Sequence, residues 1–239
     1  MSIRKTEAGG YVSSLLEETG LVEHLFGTAR CQADGAYLRL RQVHSARIVD
    51  SSEWREYLEA DGLATAEAGL RVAVRTADCV PLLLCDPVTR AVAAVHAGWR
   101  GAALGIAGAA VRFFETRYGS QAKHLVAAMG PAIGGCCYEV GPEVAQQFRA
   151  LFPERNDLGT RARIDLREAL RRQLVAAGVE ASRIDVAAEC TRCGGSEFHS
   201  WRRDGPLAGR MVSFIALRGH ERSRGFLPTG MAQALHGPE

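Results

Sequence analysis

The hydrophobic rhythm of this chain changes along its length. Residues 36–50, AYLRLRQVHSARIVD, alternate apolar and polar side chains through Leu38, Leu40 and Val43. A two-residue period of that kind predicts a strand with one buried face. Three shorter runs follow, GLRVAVRTA (69–77), VPLLLCD (80–86) and AVAAVHA (91–97). They are expected to be largely buried, and residues 87–90 join the last two as a hairpin. The period then lengthens. Residues 102–119, AALGIAGAAVRFFETRYG, carry small residues and then Val111, Phe114 and Tyr118 on one face, which predicts a helix lying close on a sheet with Gly119 as its C-cap. HLVAAMGP (124–131) reads as another buried strand and GPEVAQQFRALF (141–152) as a short helix. In IDLREALRRQLVAAGV (164–179), Asp165 is an N-cap, Glu168 completes a capping box, and Leu166, Leu170 and Leu174 share a face. RIDVAAECT (183–191) and GRMVSFIALRG (209–219) supply two late strands. The expected class is α+β, with mixed, largely antiparallel sheets.

No repeat or linker divides the sequence, so a single domain over residues 1–239 is expected. At 47% hydrophobic and 23% charged residues the chain has a globular, not a disordered, composition. A net charge of +2 with dispersed arginines argues against nucleic acid as a partner. No apolar run approaches the ~20 residues of a membrane span, and MSIRKTEAGGYVSS has no signal-like core, so a cytoplasmic protein that avoids membranes is expected. Seven cysteines, an odd number without framework spacing, point to reduced thiols.

His44, Cys79 and His96 each fall at or near the end of a strand-like run. Two imidazoles and a thiolate suit zinc and leave a fourth position for water or substrate. The bland alternatives are core histidines and a small buried cysteine, because the intervals of 35 and 17 residues match no local zinc motif. In HAGWRG, Gly98 and Gly101 allow a tight, backbone-exposed turn into a helix and Arg100 adds a fixed charge, a corner that welcomes an anion or serves only packing. No nucleotide-cofactor glycine motif is present. In GGCCYEVG, at least one of the adjacent Cys136 and Cys137 is expected to be structural. Cys190 and Cys193 form an unpartnered CxxC, with His199 as a candidate third ligand. Arg202 and Arg203 form either a phosphate clamp or a solvated, salt-bridged pair.

Taken in order, QVHSARI, TADCVPLLLCD, AAVHAGWRG, GPAIGGCCYEVG, CT, FHSWRRDG and GRMVSFIAL resemble the laccase-domain family over residues 24–218. This family was once called multicopper polyphenol oxidase, is also labelled peptidoglycan editing factor, and is now described as purine nucleoside phosphorylases. The resemblance implies a layered α-β-β-α sandwich and one zinc ion on His44, Cys79 and His96, which are then the catalytic residues too. It implies phosphorolysis of adenosine, inosine and guanosine, extending to methylthioadenosine, and deamination of adenosine. Purine nucleosides and phosphate are the implied partners, with Arg100, Arg202 and Arg203 as substrate-binding residues. Copper is an alternative occupant of the same site, and a cysteine-hydrolase-like amidase acting on peptidoglycan precursors and a copper-binding polyphenol oxidase are alternative activities. A four-copper polyphenol oxidase is disfavoured, because His24, His124, His220 and His236 show no clustering. One departure stands out: the segment before QVH is abbreviated and lacks the LNLG and NR of the family, so a substrate wall built there is missing or replaced.

Overall fold

A computed structural model describes residues 3–219. In chain order its strands are β1 (Ile3–Lys5), β2 (Tyr11–Ser13), β3 (Val22–Phe26), β4 (Ile48–Asp50), β5 (Gly62–Thr65), β6 (Val72–Thr76), β7 (Val80–Asp86), β8 (Ala91–Ala97), β9 (Val126–Met129), β10 (Glu139–Val140), β11 (Ala162–Arg163), β12 (Ile184–Val186) and β13 (Met211–Leu217). The α-helices are α1 (Ser14–Glu18), α2 (Trp99–Ala103), α3 (Ile106–Tyr118), α4 (Pro142–Ala145), α5 (Leu166–Ala176) and α6 (Trp201–Asp204). One sheet has the order β1-β2-β3-β13-β6 and is antiparallel throughout. The second has the order β12-β9-β7-β8-β5-β4; its two outermost pairs are parallel and the inner ones antiparallel. Mixed, largely antiparallel α+β architecture is what the sequence predicts.

The continuous apolar runs of β7 and β8 follow from their position between two cores. Leu82 and Leu84 of β7, with Ala93 and Val95 of β8, face α3 and α5 in one core; Leu83 and Cys85, with Val92 and Ala94, face the other sheet. A strand covered on both sides has no use for a polar alternate. Phe114 and Leu170, both fully buried, close the helical layer over the second sheet. The outer face of the first sheet carries a small cluster of Ala73, Val212 and Phe214 under Ala33 and Tyr37.

Three local expectations are corrected. Residues 36–50 do not form one strand: Leu38 and Arg41 make isolated bridges to Val72 and Glu59, and only β4 is regular. His44 has φ +61° in the middle of the stretch, which no extended strand tolerates. The expected helix over 102–119 is two helices broken at Gly105, φ +80°. Buried Gln173 covers the break, donating to the Ala102 carbonyl at 2.6 Å and accepting from the Ala107 N–H at 3.3 Å. Gly119 is the left-handed C-cap expected. At α5, Asp165 caps the Arg167 and Glu168 N–H groups, but the Glu168 carboxylate turns to Arg171 and Arg172 instead of closing a capping box. No helix among the described residues is long and apolar enough to cross a membrane.

Candidate metal centre

His44 sits before β4, Cys79 in the tight connection between β6 and β7, and His96 near the end of β8. The fold brings them together: one ligand atom from each lies within 4.8 Å of the other two. Cys79 Sγ is 4.0 Å from His44 Nε2, and the two imidazoles stand edge to face with centroids 4.8 Å apart. Cys79 precedes the β7–β8 hairpin and His96 lies on it, paired with Pro81 in the register, so two of the three positions share one rigid unit.

Asp61, fully buried, organises the group. One carboxylate oxygen accepts from His96 Nδ1 at 2.8 Å and from the His44 N–H at 3.0 Å; the other accepts from the Ser45 N–H at 2.6 Å and Ser45 Oγ at 2.7 Å. The bond to Nδ1 leaves His96 Nε2 facing the cluster, the arrangement a carboxylate gives a metal-ligating histidine. By accepting the His44 N–H, Asp61 also stabilises the left-handed backbone of His44, which costs about 1–2 kcal/mol. Asp78, at φ +84°, is a second left-handed non-glycine residue. Its carboxylate accepts from Thr191 Oγ1 and from the Arg202 N–H, each at 2.6 Å, tying the Cys79 turn to α6.

The electrostatics suit a thiolate. Burial pushes the Cys79 thiol up, but the charge of His96 and hydrogen bonds from His44 and His96 outweigh it and hold the thiol at about 6. His96 moves the other way, to about 9: burial lowers it, and the Cys79 charge with the Asp61 hydrogen bond more than compensates. Each group thus favours the charged form of the other, a thiolate beside an imidazolium. A cation on the three donors would take the place of that imidazolium proton.

Gly98 shows how closely the site is built. A Cβ there would lie 2.7 Å from His44 Cδ2 and 3.0 Å from Cys79 Sγ, so only glycine lets both donors approach. A Cβ on Gly101 would lie 2.9 Å from the Ser45 carbonyl. Both glycines are buried, so the turn is not the backbone-exposed corner expected from the sequence; its glycines serve close packing against His44 and Ser45. With soft and borderline donors, an orienting carboxylate and a cradle that a methyl group would fill, these residues fit a zinc ion.

The three arginines divide. Arg100 is exposed and stacks on Trp99 at 4.6 Å. Arg202 lies over the Tyr138 ring at 5.0 Å and donates to the Glu139 carbonyl. Tyr138, barely exposed, is held as a neutral phenol by burial first and then by the Cys79 charge, with Arg202 and Arg100 acting in the opposite sense. Arg202 and Tyr138 are thus in direct contact, and the charges of Cys79 and Arg100 act on the phenol from further away. Arg203 is fully committed: its five N–H donors meet the Asp204 carboxylate and the Thr191, Gly195 and Phe198 carbonyls.

Sequence reasoning passed over Asp61, Asp78 and Tyr138 as parts of the site. It also placed His199 with Cys190 and Cys193. His199 instead packs on Gly209, and the CxxC meets Cys136 and Cys137. His24 is buried and accepts the Ser13 N–H, while His220 and His236 lie outside the described residues. A surface depression lined by Asp50, Ser52, Arg117 and Tyr118 shares no residue with the triad.

Comparison with known proteins agrees with this architecture. A family described as "Multi-copper polyphenol oxidoreductase laccase" matches residues 22–218. Purine nucleoside phosphorylase YlmD of Geobacillus stearothermophilus is 44% identical over 164 residues, 66% of this chain and 60% of that protein. Adenosine deaminase RL5, from an unknown prokaryotic organism, is 41% identical over 191 residues, covering 73% and 72%. Mouse purine nucleoside phosphorylase LACC1 is 32% identical over 205 residues, 82% of this chain but 47% of that protein. Two of these three relatives are thus matched over less than two thirds of their length. Among solved structures, hypothetical protein YfiH of Bacillus licheniformis superposes with a TM-score of 0.80 at 30% identity, covering 90% of this chain and 99% of that one. Geobacillus stearothermophilus YlmD gives 0.80 at 29% identity, covering 91% and 99%.

Proposed function

The chain belongs to the multi-copper polyphenol oxidoreductase laccase family, and from that membership and the geometry above we propose that it is a zinc-dependent purine nucleoside phosphorylase with adenosine deaminase activity. The observation that carries the reading is the convergence of His44, Cys79 and His96 behind Gly98, with Asp61 fixing His96 and Asp78, next to Cys79, holding the Arg202 backbone. When bound, zinc supplies a Lewis acid with one coordination position left for a ligand. The proposed substrates are adenosine, inosine and guanosine, with methylthioadenosine as an extension, and phosphate as co-substrate. In phosphorolysis the bond from ribose C1′ to the purine nitrogen breaks, a phosphate oxygen bonds to C1′, and a proton goes to the departing base. Deamination replaces the C6 amino group by oxygen from water and releases ammonia.

Each residue near the centre has a task in this scheme. Arg100 and Arg202 offer fixed positive charge to phosphate, Arg202 while anchored at its own backbone by Asp78. The neutral Tyr138 phenol offers a donor beside them. Arg203, whose donors are taken up by the Thr191, Gly195 and Phe198 carbonyls, braces the segment that carries Arg202. The seven free cysteines favour a reducing compartment, and the cytoplasm is the proposed location.

A second reading has one observation in its favour: Cys79, His96 and Asp61 also line up as nucleophile, base and orienting carboxylate of a cysteine hydrolase. Two measurements separate the readings. Purified protein would be assayed with inosine, guanosine and adenosine, with and without phosphate, while Cys79 is mapped after iodoacetamide treatment with and without chelator. The proposal expects phosphate-dependent release of base and a Cys79 that labels only after chelation. Rapid labelling of zinc-replete protein, with no nucleoside turnover, would select the hydrolase. A four-copper oxidase draws no support, since no further histidine group accompanies the triad among the described residues.

A further inference from the structure

We propose a second metal site: a tetrathiolate formed by Cys136, Cys137, Cys190 and Cys193 that binds a zinc ion and staples together the two loops flanking the His44–Cys79–His96 centre. The four Sγ atoms lie within 4.8 Å of one another. Cys193 Sγ is 3.8 Å from Cys136 Sγ and 3.3 Å from Cys137 Sγ. A tetrahedral ion with Zn–S bonds of about 2.3 Å holds its sulfurs about 3.8 Å apart, so the observed cluster is near the size of the site. A disulfide would need about 2.05 Å between two of these atoms, and all four thiols are free. Adjacent cysteines, which sequence reasoning set apart as at least partly structural, thus both reach the cluster because the chain turns tightly around them: the Cys137 and Tyr138 N–H groups both return to the Gly134 carbonyl at 2.9 Å.

The backbone around the sulfurs is prepared for anionic ligands. The Gly134 N–H donates to Cys190 Sγ at 3.2 Å, and the Arg192 and Cys193 N–H groups act on the same sulfur, the pattern of a CxxC turn wrapped around a thiolate. A Cβ on Gly134 would lie 3.2 Å from Cys136 Sγ and 3.1 Å from Arg167 Nη2, so glycine admits both the ligand and a buried guanidinium that offsets thiolate charge. The two loops are already paired at their bases, Thr191 N–H to the Ala132 carbonyl at 3.0 Å, so ordering the ligands costs little further entropy. Cys136 and Cys193 are exposed, which gives an ion an entry path.

The location supplies the role. Cys137 immediately precedes Tyr138, and Thr191, between the paired cysteines, donates to Asp78 beside Cys79. Arg203 grips the Thr191 carbonyl. An ion here fixes the loop carrying the phenol to the loop that holds the Cys79 turn. The proposal does not depend on which reaction the first centre performs.

The test is metal analysis of full-length protein purified in zinc without chelator, beside Cys193→Ser, Cys136→Ser and Cys79→Ser. Wild type should carry about two zinc ions per chain, and each single variant about one, with the losses adding in Cys79→Ser/Cys193→Ser. Cobalt-loaded Cys79→Ser should keep the intense thiolate-to-cobalt absorption of a four-sulfur site, which Cys193→Ser should lose while folding to the same circular dichroism. This cobalt measurement on a variant that leaves the four cysteines untouched keeps the proposal testable if Cys193→Ser fails to fold. Zinc retained at the wild-type level in Cys193→Ser and Cys136→Ser would overturn it. So would a Cys193 disulfide to Cys136 or Cys137 in freshly purified, zinc-replete protein. Loss of zinc from Cys79→Ser bears only on the first centre, so the two proposals fail separately.

Discussion

Asp61→Asn isolates the residue on which the geometry of the first centre turns. The substitution keeps shape but removes charge and converts one acceptor oxygen to a donor. If the amide nitrogen replaces Oδ1, it confronts His96 Nδ1 and the His44 N–H, at 2.8 and 3.0 Å from that oxygen in the native protein. If it replaces Oδ2, it confronts the Ser45 N–H and hydroxyl. Either orientation strands at least one buried or part-buried donor, at about 1–3 kcal/mol for a fully buried one. In the first, His96 is relieved by moving its proton to Nε2, where it blocks the metal-facing nitrogen. Loss of such an outer carboxylate costs about 10–100-fold in metal affinity, or about 1.4–2.8 kcal/mol. Zinc affinity would be measured by competition with a chromophoric chelator, with thermal unfolding of the metal-free protein alongside. Leu83→Ala, which empties a position between the sheets at a cost of about 2–5 kcal/mol, provides a control destabilised without touching the ligands. Asp61→Asn with wild-type zinc affinity would refute the assignment of Asp61, as would Leu83→Ala losing zinc to the same extent.

Gly98→Ala should abolish or severely weaken metal binding at the first centre, because its methyl group lands 2.7 Å from His44 Cδ2 and 3.0 Å from Cys79 Sγ; equilibrium dialysis with zinc checks this, and unchanged binding would show that the cradle is looser than drawn. His24 should make metal-free protein acid-sensitive. Burial, then the charges of Arg218 and Arg4, depress it from 6.5 to about 4, so the fold favours the neutral ring; that stability is complete above pH 6.5 and is lost as pH falls toward 4. The loss is about 3 kcal/mol. Urea unfolding from pH 7 to 4.5 should show a shallower slope in His24→Gln, whose amide oxygen still accepts the Ser13 N–H; equal slopes would contradict it.

The regular part of the fold was legible because burial on both faces writes itself into composition: β7, β8 and α5 were delimited to within a few residues. The ligands could be named and grouped since two imidazoles and a thiol at the ends of apolar runs make a zinc-like donor set, although core histidines and a buried cysteine stayed open until the family resemblance favoured the metal. Asp61 escaped because its role depends on meeting residues 43–45 and 96, which no periodicity encodes; its only trace is a carboxylate inside the apolar stretch LEADGLAT. Residues 36–50 misled for the opposite reason. Their alternation is real, but a left-handed His44 set by Asp61 bends the chain out of the sheet. The four-cysteine cluster was split in the sequence because Cys190 lies 53 positions after Cys137, and the pairing of Ala132 with Cys190 brings them together.

The most direct test of the central claim is an anomalous difference map from crystals of zinc-replete protein, recorded above and below the zinc absorption edge. The account predicts a peak bonded to His44 Nε2, Cys79 Sγ and His96 Nε2 at about 2.0–2.3 Å, with Asp61 still on His96 Nδ1. No peak at those three atoms in protein that cleaves inosine with phosphate would contradict it.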